Sequence, residues 1–364
     1  MEQIKVLHTE WSDGWGGQEI RIITESIALK EKYNVDITIA CRKNSQISKQ
    51  AKKVGIKVVY FDFKSSFDIK SILSIYKFIK ENKIQIVNTH SGKDTWVGGL
   101  AAKLARVKFI RTRHLSNPIN SSRFNFINEL ADFIMTTGEN VRKDMIANNR
   151  ISPDKIKSIP TGIDDSLFDD SLYNKDDCLE KLNIDKDKIY VGSLAVLRGV
   201  KRLDILLNIA LKIHKDFENV VFLIAGDGPG KESLSNFITK NNMQDYVKLM
   251  GHISKPYIFL KAIDIFIMTS RSEGVPQSLM QALLMKKACI STNVGGVKDL
   301  YDSKNFSCVE FDEQKIQQAL VEILKDNKIK NDFEKNAKEY VKNNFTRDIM
   351  AKNIYDIYLQ ILKL

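Results

Sequence analysis

Short β-branched apolar runs alternate with longer amphipathic stretches along most of the chain, the pattern of parallel sheets with crossover helices. In the first half, strands are predicted at IKVLH (4–8), VDITIA (35–40), IKVVYF (56–61), IQIVNT (84–89), FIRTR (109–113), FIMTT (133–137) and KSIP (157–160). Helices are expected between them, the first carrying Ile20, Ile23 and Ile27 at i, i+3, i+7. The alternation pauses over residues 161–187, an acidic, polar stretch without a strand, and a domain boundary is placed there. A second series follows: IYVGSLA (189–195), VVFLIAG (220–226), VKLMG (247–251), IDIFIM (263–268), ACIST (288–292) and SCVEF (307–311). From about 312 the chain reads as consecutive helices with Lys-rich faces and no further strand.

The class is therefore α/β, with a domain over residues 1–165, a second over 166–345, and a last helix, about 346–364, expected to pack back on the first. A length of 364 residues agrees with two domains. Two facing doubly wound domains imply a shared cleft, because ligands of open α/β sheets sit at the carboxyl ends of the strands.

Composition excludes several classes. With 43% hydrophobic residues and 6 prolines the chain builds ordinary cores and is neither disordered nor fibrous. Cys41, Cys178, Cys289 and Cys308 contain no C-x-x-C pair, which suits neither a disulfide framework nor a zinc site and fits a reducing compartment. The opening MEQIKVLHTEWSDG has no basic region followed by an apolar one, and no stretch approaches the ~18 apolar residues of a membrane span, so neither secretion nor spanning is expected. The net charge of +11 is lopsided: residues 1–165 hold 27 Lys/Arg against 18 Asp/Glu, or +9, leaving 29 against 27, or +2, for the rest. Such a field attracts nucleic acid, anionic lipid headgroups or small anions, although lysines also serve solubility. A nucleic-acid binder would interleave aromatic with basic residues or carry a recognition motif, and neither is seen.

The most informative segment is SRSEGVPQSLMQALLMKKACISTNVGG, residues 270–296. Gly274 and Pro276 form a turn into a helix whose first position suits proline. The open N–H groups near Gln277, Ser278 and Leu279 make an anion site favoured by the helix dipole, and Gly274 lets a ligand approach the backbone. Glu273, at the same strand end, suits acceptance of hydrogen bonds from hydroxyls, against the bland reading of a surface Glu in a turn. Gly16-Gly17, before a helix beginning near Gln18, and Gly295-Gly296 have the same layout and are weaker signals. GDGPGK (226–231) imitates a Walker A loop, but its glycines are one residue too close and Glu232 stands where Ser or Thr would hold magnesium, so it reads as a tight turn. Arg198 and Lys201, just after the first strand of the second domain, could neutralise a leaving diphosphate or be a solvated cluster with Arg202. His114 ends a first-domain strand and would face the cleft; His90 invites the same reading, and a lone His is more often structural. The five histidines contain no H-x-x-x-H pair and no nearby acidic pattern, which argues against a catalytic metal.

In order along the chain, WGGQE, IVNTHS, RTRH, IPTGID, LRGVKR, AGDGPGK and SEGVPQSLMQAL followed by STNVGG resemble the retaining glycosyltransferases of family 4, the glycosyl transferases group 1 class with the GT-B fold. The resemblance runs over nearly the whole length and implies transfer of a sugar from a nucleotide diphosphate donor, a UDP-sugar favoured over a GDP-sugar, to an acceptor hydroxyl with retained configuration. It implies that Glu273 contacts donor-sugar hydroxyls, that Gly16, Gly17, Gly274, Val275, Pro276, Gln277, Ser278 and Leu279 line the donor site, and that Lys201 and Arg198 hold the diphosphate. His114 resembles the family's first-domain histidine near the donor sugar, with a positioning role. The family's signature ends in two glutamates eight apart, and here Gln281 stands at the second, a position similar to one that binds the ribose; an amide can still hydrogen-bond hydroxyls both ways. Val196 stands where the family often has Arg, whereas Lys201 matches its phosphate-binding lysine.

Because cations and main-chain amides stand in for a metal ion, no cofactor or metal is expected and activity should survive chelation. The favoured route is front-face attack without an enzyme nucleophile, the leaving phosphate taking the proton. The basic first domain is the acceptor side, implying a glycan or lipid-linked acceptor in surface polysaccharide or lipopolysaccharide assembly. A cytoplasmic, peripheral position on the inner face of the cytoplasmic membrane is expected, with an anionic membrane surface as partner and no nucleic acid. Three readings compete: a nucleotide-sugar epimerase of similar fold, converting donor without acceptor; a non-catalytic basic nucleic-acid-binding protein; and an inactive transferase, which Gln281 makes thinkable.

Overall fold

The structure, a computed structural model, describes residues 3–114 and 126–363. The chain divides into two compact units, Met1–Gly162 with Arg347–Leu364, and Ile163–Thr346.

In the first unit β1 (Lys5–Glu10), α1 (Gly17–Tyr33), β2 (Asp36–Cys41), α2 (Gln46–Lys53), β3 (Lys57–Tyr60), α3 (Ile69–Asn82), β4 (Ile86–Thr89), α4 (Gly92–Ala105), β5 (Lys108–Arg113), β6 (Phe133–Thr136), α5 (Glu139–Asn149) and β7 (Ile156–Ser158) follow one another. The sheet is parallel, in the order β3-β2-β1-β4-β5-β6-β7, so the chain reverses direction across the sheet beside β1. Every strand read from the apolar runs is present, displaced by two residues at most at its start. One face of the sheet packs Ile22, Leu29 and Ile47 of α1 and α2; the other packs Ile75, Ile79, Val97 and Ala101 of α3 and α4 around Phe109. Parallel strands buried on both faces read as continuous apolar runs, which is why they were visible in the sequence.

The isoleucine stripe of α1 is buried in part: Ile23 is buried and Ile27 packs half-buried against the core. Ile20 is 42% exposed, whereas Arg21, Ile22, Glu25, Ser26 and Leu29 are buried. The buried polar groups of the same face have partners: Arg21 Nη1 donates to the Ile159 carbonyl at 2.6 Å and its Nε to Glu25 Oε2 at 3.3 Å.

In the second unit α6 (Lys175–Leu182), β8 (Ile189–Leu194), α7 (Leu203–Ile213), β9 (Val220–Ala225), α8 (Lys231–Lys240), β10 (Val247–Gly251), α9 (Pro256–Ala262), β11 (Ile265–Met268), α10 (Gln277–Leu284), β12 (Ala288–Thr292), β13 (Ser307–Val309), α11 (Glu313–Lys325) and α12 (Asn327–Asn344) form a six-stranded parallel sheet in the order β10-β9-β8-β11-β12-β13. Both units are thus doubly wound, with the switch points beside β1 and β8.

The last helix, α13 (Arg347–Leu362), belongs to the first unit. Met350, Ala351, Ile354, Ile357, Tyr358 and Ile361 recur at helical spacing, are buried, and join the core of α1. Among the described residues no helix is long and apolar enough to cross a membrane. Ile354→Ala, at a fully buried position, should destabilise the protein by about 2–4 kcal/mol in denaturant unfolding.

Candidate functional site

The second unit gathers its candidates at the ends of β8 and β11. After β8 the chain forms a short 3-10 turn over Gly199–Lys201, with Arg198 as its exposed N-cap. Thr269 Oγ1, just past β11, donates to the carbonyls of Lys201 and Arg202, both at 3.0 Å, and Arg271 N donates to the Val200 carbonyl at 2.8 Å. The turn is thereby fastened to the strand end that carries Glu273. Lys201 Nζ lies 2.6 Å from Glu273 Oε1, with side chains 23% and 9% exposed.

The loop after β11 leads into α10. Pro276 occupies the N-cap rather than the first helical position, with an extended ψ of 109° and no side chain to cap the helix. The first-turn N–H groups of Gln277, Ser278 and Leu279 have no carbonyl four residues back within the helix, which leaves a positive helix end beside Glu273. A side chain built at Gly274 or Gly199 would meet nothing within 4 Å, so these glycines border open space. Val275 is half-buried and packs against the core. Gln277 and Gln281 are half-buried one turn apart, and Gln277 Nε2 is buried without a hydrogen-bond partner.

The other glycine turns do different work from that expected. Gly295 has φ +53°, and a Cβ there would come within 1.8 Å of the Glu273 carbonyl oxygen; Gly296 donates its N–H to the Gly274 carbonyl at 3.0 Å. This pair supports the backbone of Glu273 and Gly274, so the Gly296 amide is already used within the protein. GDGPGK is likewise more than a turn. Gly226 (φ +139°) and Gly228 (φ +151°) lie against the carbonyls of Ala195 and Leu197, while Leu197 N donates to the Asp227 carbonyl and Gly230 N to that of Leu197. Both loops brace the site from below, and only residues without a Cβ permit so close an approach.

In the first unit the polar residues collect at the carboxyl ends of β1, β4 and β5. His8, Thr9, Glu10, Asn88, Thr89, His90, Asp94, Arg111 and Thr112 are all buried. Gly16 caps α1 and donates its N–H to Glu19 Oε2 at 2.8 Å, so that amide is not open to a ligand; a side chain at Gly17 would meet nothing within 4 Å. His114, half-buried after β5, is joined to His90, Nε2 to Nδ1, at 2.9 Å. His90 Nε2 in turn lies 2.8 Å from His8 Nδ1. Burial keeps all three imidazoles neutral: it depresses His8 to about 3 and holds His90 and His114 well below the usual range, with nearby Arg21 and Arg111 acting in the same direction.

The fold also brings an acid to the histidines that chain spacing did not show. Ligand atoms of His8, Glu25 and His90 lie within 4.8 Å of one another. His8 Nδ1 and His90 Nε2 are hydrogen-bonded to each other and Glu25 Oε2 is held by Arg21, so most of this donor set is engaged in internal pairing.

Two further residues escaped the sequence reading. Arg111, whose ionisation burial lowers to about 10, lines with Arg113, Trp96, Gly92 and Thr95 a cavity of about 130 Å³. Among the described residues its Nε has no hydrogen-bond partner. Glu10 accepts from Ser12 N at 2.8 Å, from Ser91 Oγ at 3.0 Å and from Gln18 Nε2, tying the loop before α1 to β4. The signal for both was a polar residue inside an apolar strand run, as in VLHTE and FIRTR.

Glu10 carries a pH consequence. Burial, then the charge of Asp94, raises its pKa from 4.5 to about 8. The folded protein therefore holds this proton more tightly than the unfolded chain, and stability contributed by the neutral form is lost as pH rises from about 4.5 to about 8. Glu10→Gln should stabilise the protein by on the order of 2 kcal/mol at about pH 8, with the gain fading toward about pH 5, read by denaturant unfolding at both values.

Two family models match the chain: Glycosyltransferase Family 4 over residues 15–167 and Glycosyl transferases group 1 over residues 174–340. The chain is 25% identical to the UDP-Gal:alpha-D-GlcNAc-diphosphoundecaprenol alpha-1,3-galactosyltransferase of Escherichia coli, over 99% of this chain and 98% of that one. It is 25% identical to the capsular polysaccharide biosynthesis glycosyltransferase CapH of Staphylococcus aureus, over 80% and 82%. Among solved structures it superimposes on a glycosyltransferase of Rickettsia africae with a TM-score of 0.89 at 20% identity, covering both chains fully. Anabaena HepE in complex with UDP gives a TM-score of 0.85 at 17% identity, over 98% of this chain and all of that one. The fold is GT-B.

Proposed function

Because the chain belongs to glycosyltransferase family 4 and is a glycosyltransferase, we propose that it moves a sugar from a UDP-sugar to a hydroxyl of a lipid-linked glycan, with retained configuration and without a metal, during surface polysaccharide assembly. The observation that carries this reading is the contact of Lys201 Nζ with Glu273 Oε1 at 2.6 Å beside the open N-terminus of α10. A diphosphate entering there meets a cation and unpaired N–H donors, while Glu273 is placed to accept hydrogen bonds from sugar hydroxyls. Without ligand, each charge neutralises the other; with ligand, Lys201 shares its protons with the phosphate and its field assists departure of the leaving group. Arg198, exposed at the mouth of the same turn, adds a second cation.

The open space at Gly199 and Gly274, both in the second unit, suits a ligand lying against the backbone. The preference for UDP is supported by the UDP-Gal named for the Escherichia coli relative and the UDP bound to Anabaena HepE. The reaction fits front-face attack, the acceptor hydroxyl passing its proton to the departing phosphate, so no side chain here is assigned as nucleophile. Gln281, one turn into α10, can exchange hydrogen bonds with ribose hydroxyls through its amide.

UDP should raise the melting temperature more than GDP or ADP does, because a ligand that binds the native state stabilises it. In an assay containing EDTA the wild type should transfer sugar. Glu273→Ala should lower kcat by roughly 100-fold while the UDP-induced shift persists. Transfer abolished by EDTA, or unchanged by Glu273→Ala, would remove this arrangement.

The acceptor side is assigned to the first unit, which carries the charge excess of +9 over residues 1–165. At the start of α3, Phe67, Ile69 and Leu73 are exposed among Lys64, Lys70 and Lys77, and Phe67 lies 4.9 Å from Trp96 between ring centroids. Exposed apolar side chains with lysines nearby in the chain suit a peripheral contact with an anionic bilayer, at about 1 kcal/mol per basic residue near the surface, Lys70 foremost because Lys64 pairs with Asp62 and Lys77 with Glu81. At low salt the protein should co-sediment with phosphatidylglycerol vesicles and not with neutral ones, and Phe67→Asp with Ile69→Asp should abolish that binding. Equal binding to both vesicles would refute the membrane contact and leave the transferase reading untouched.

A further inference from the structure

His8, His90 and His114 form one hydrogen-bonded chain from the core of the first unit to the end of β5. His8 and His90 are 0% and 1% exposed, while His114 is half-buried. The links are His8 Nδ1 to His90 Nε2 at 2.8 Å and His90 Nδ1 to His114 Nε2 at 2.9 Å, with the planes of the first two rings 14° from parallel.

Each neutral imidazole has one N–H and one bare nitrogen, and each link needs one of each. Two arrangements satisfy both links. In one, every ring is protonated on Nδ1: His8 donates to His90, His90 donates to His114, and His114 keeps its N–H outside the chain. In the other, every ring is protonated on Nε2, the donations run in reverse, and His114 is left with a bare Nδ1.

Two observations select the first. His8 Nε2 is buried and has no hydrogen-bond partner among the described residues. Protonation there would orphan a buried donor, which native structures avoid more strictly than an unused acceptor. Glu25 Oε1, also buried without a hydrogen-bond partner, lies 3.6 Å from His8 Nδ1. An N–H at Nδ1 turns a positive edge toward that oxygen, whereas a bare Nδ1 would oppose it with a lone pair.

Burial raises the pKa of Glu25 to about 7, so its pull on the Nδ1–H operates where it is ionised, whereas the cost of an orphaned Nε2–H is independent of that titration. Glu25 is held by Arg21 of the same helix, Arg111 and Arg113 flank the histidines from β5, and Tyr358 of α13 stands by Glu25. Asp94 of α4 spends Oδ2 on His90 N and Thr9 Oγ1, and Glu10 of β1 is engaged with Ser12, Ser91 and Gln18.

We propose that His8 and His90 are positioning residues that lock His114 in the Nδ1–H tautomer, so that His114 offers its ligand a hydrogen-bond donor and has no free basic nitrogen with which to take a proton. The tautomer follows from this unit alone; that the ligand atom is a sugar or phosphate oxygen rests on the transferase reading. A remote group that fixes an imidazole's tautomer can govern turnover strongly without touching substrate.

Long-range nitrogen–proton NMR of full-length protein with 15N-labelled histidine, assigned through His114→Gln, tests this directly. The wild type should show neutral His114 protonated on Nδ1 at about pH 7 and still neutral at about pH 5. His8→Leu should mix the tautomers of His114 and lower kcat roughly 10-fold or more with little change in donor KM. His8→Asn, whose amide can donate from the place of Nδ1, should restore both the tautomer and most of the rate. An Nε2–H or protonated His114 in the wild type overturns the proposal even if no variant folds, as does a His8→Leu protein with an unchanged His114 tautomer. Wild-type protein with the expected tautomer and no sugar transfer would instead count against the transferase reading alone.

Discussion

Polar side chains buried at the carboxyl ends of parallel strands have to be hydrogen-bonded from within, and the first unit is arranged around that requirement. Leaving one such group unpaired costs about 1–3 kcal/mol, comparable to a sizeable part of a domain's net stability. The strands β1, β4 and β5 each pass from apolar to polar residues partway along, and the polar ends are nearly or wholly enclosed. Neighbouring helices supply the partners. From α4, Asp94 receives the N–H groups of His90 and Ser91 and the hydroxyl of Thr9; from α1, Arg21 and Glu25 face inward although Ile20 of the same helix lies in solvent. The orientation of α1 is set by polar pairing as much as by apolar burial.

The same requirement ties stability to chemistry. The groups that satisfy the buried strand ends are those that fix the protonation of His114, raise the pKa of Glu10 and leave Arg111 lining a cavity. A low-dielectric surrounding keeps the histidines neutral, and the two nearby guanidinium groups reinforce it, because a charged imidazole there would be both desolvated and repelled by like charge. Acid–base character in this unit therefore belongs to the network and not to single residues.

In the second unit the organising contact is backbone against backbone. Glycines at 226, 228, 295 and 296 let two loops approach the carbonyls of Ala195, Leu197, Glu273 and Gly274. Thr269 fastens the 3-10 turn bearing Lys201 to the end of β11, so that the lysine meets Glu273 across two loops distant in sequence. Preorganisation of this kind holds the two charges in place, so that little reorganisation remains for a ligand to induce.

By itself the sequence determined the two doubly wound sheets, because strands enclosed on both faces need unbroken apolar runs and those runs are local. It also marked Glu273, Lys201 and the start of α10, since helix-entry turns and strand ends are written in adjacent residues. Tertiary structure alone decided that Arg21 and Glu25 of α1 face inward while Ile20 lies in solvent, that Gly16 is capped by Glu19, that Gly295 and Gly296 support a neighbouring loop, and that His8, His90, His114 and Glu25 form one assembly. Those outcomes depend on partners tens of residues away, and no periodicity records them. A polar residue inside a strand announces that it needs a partner, but the identity of that partner is settled only when the sheet closes and the helices pack.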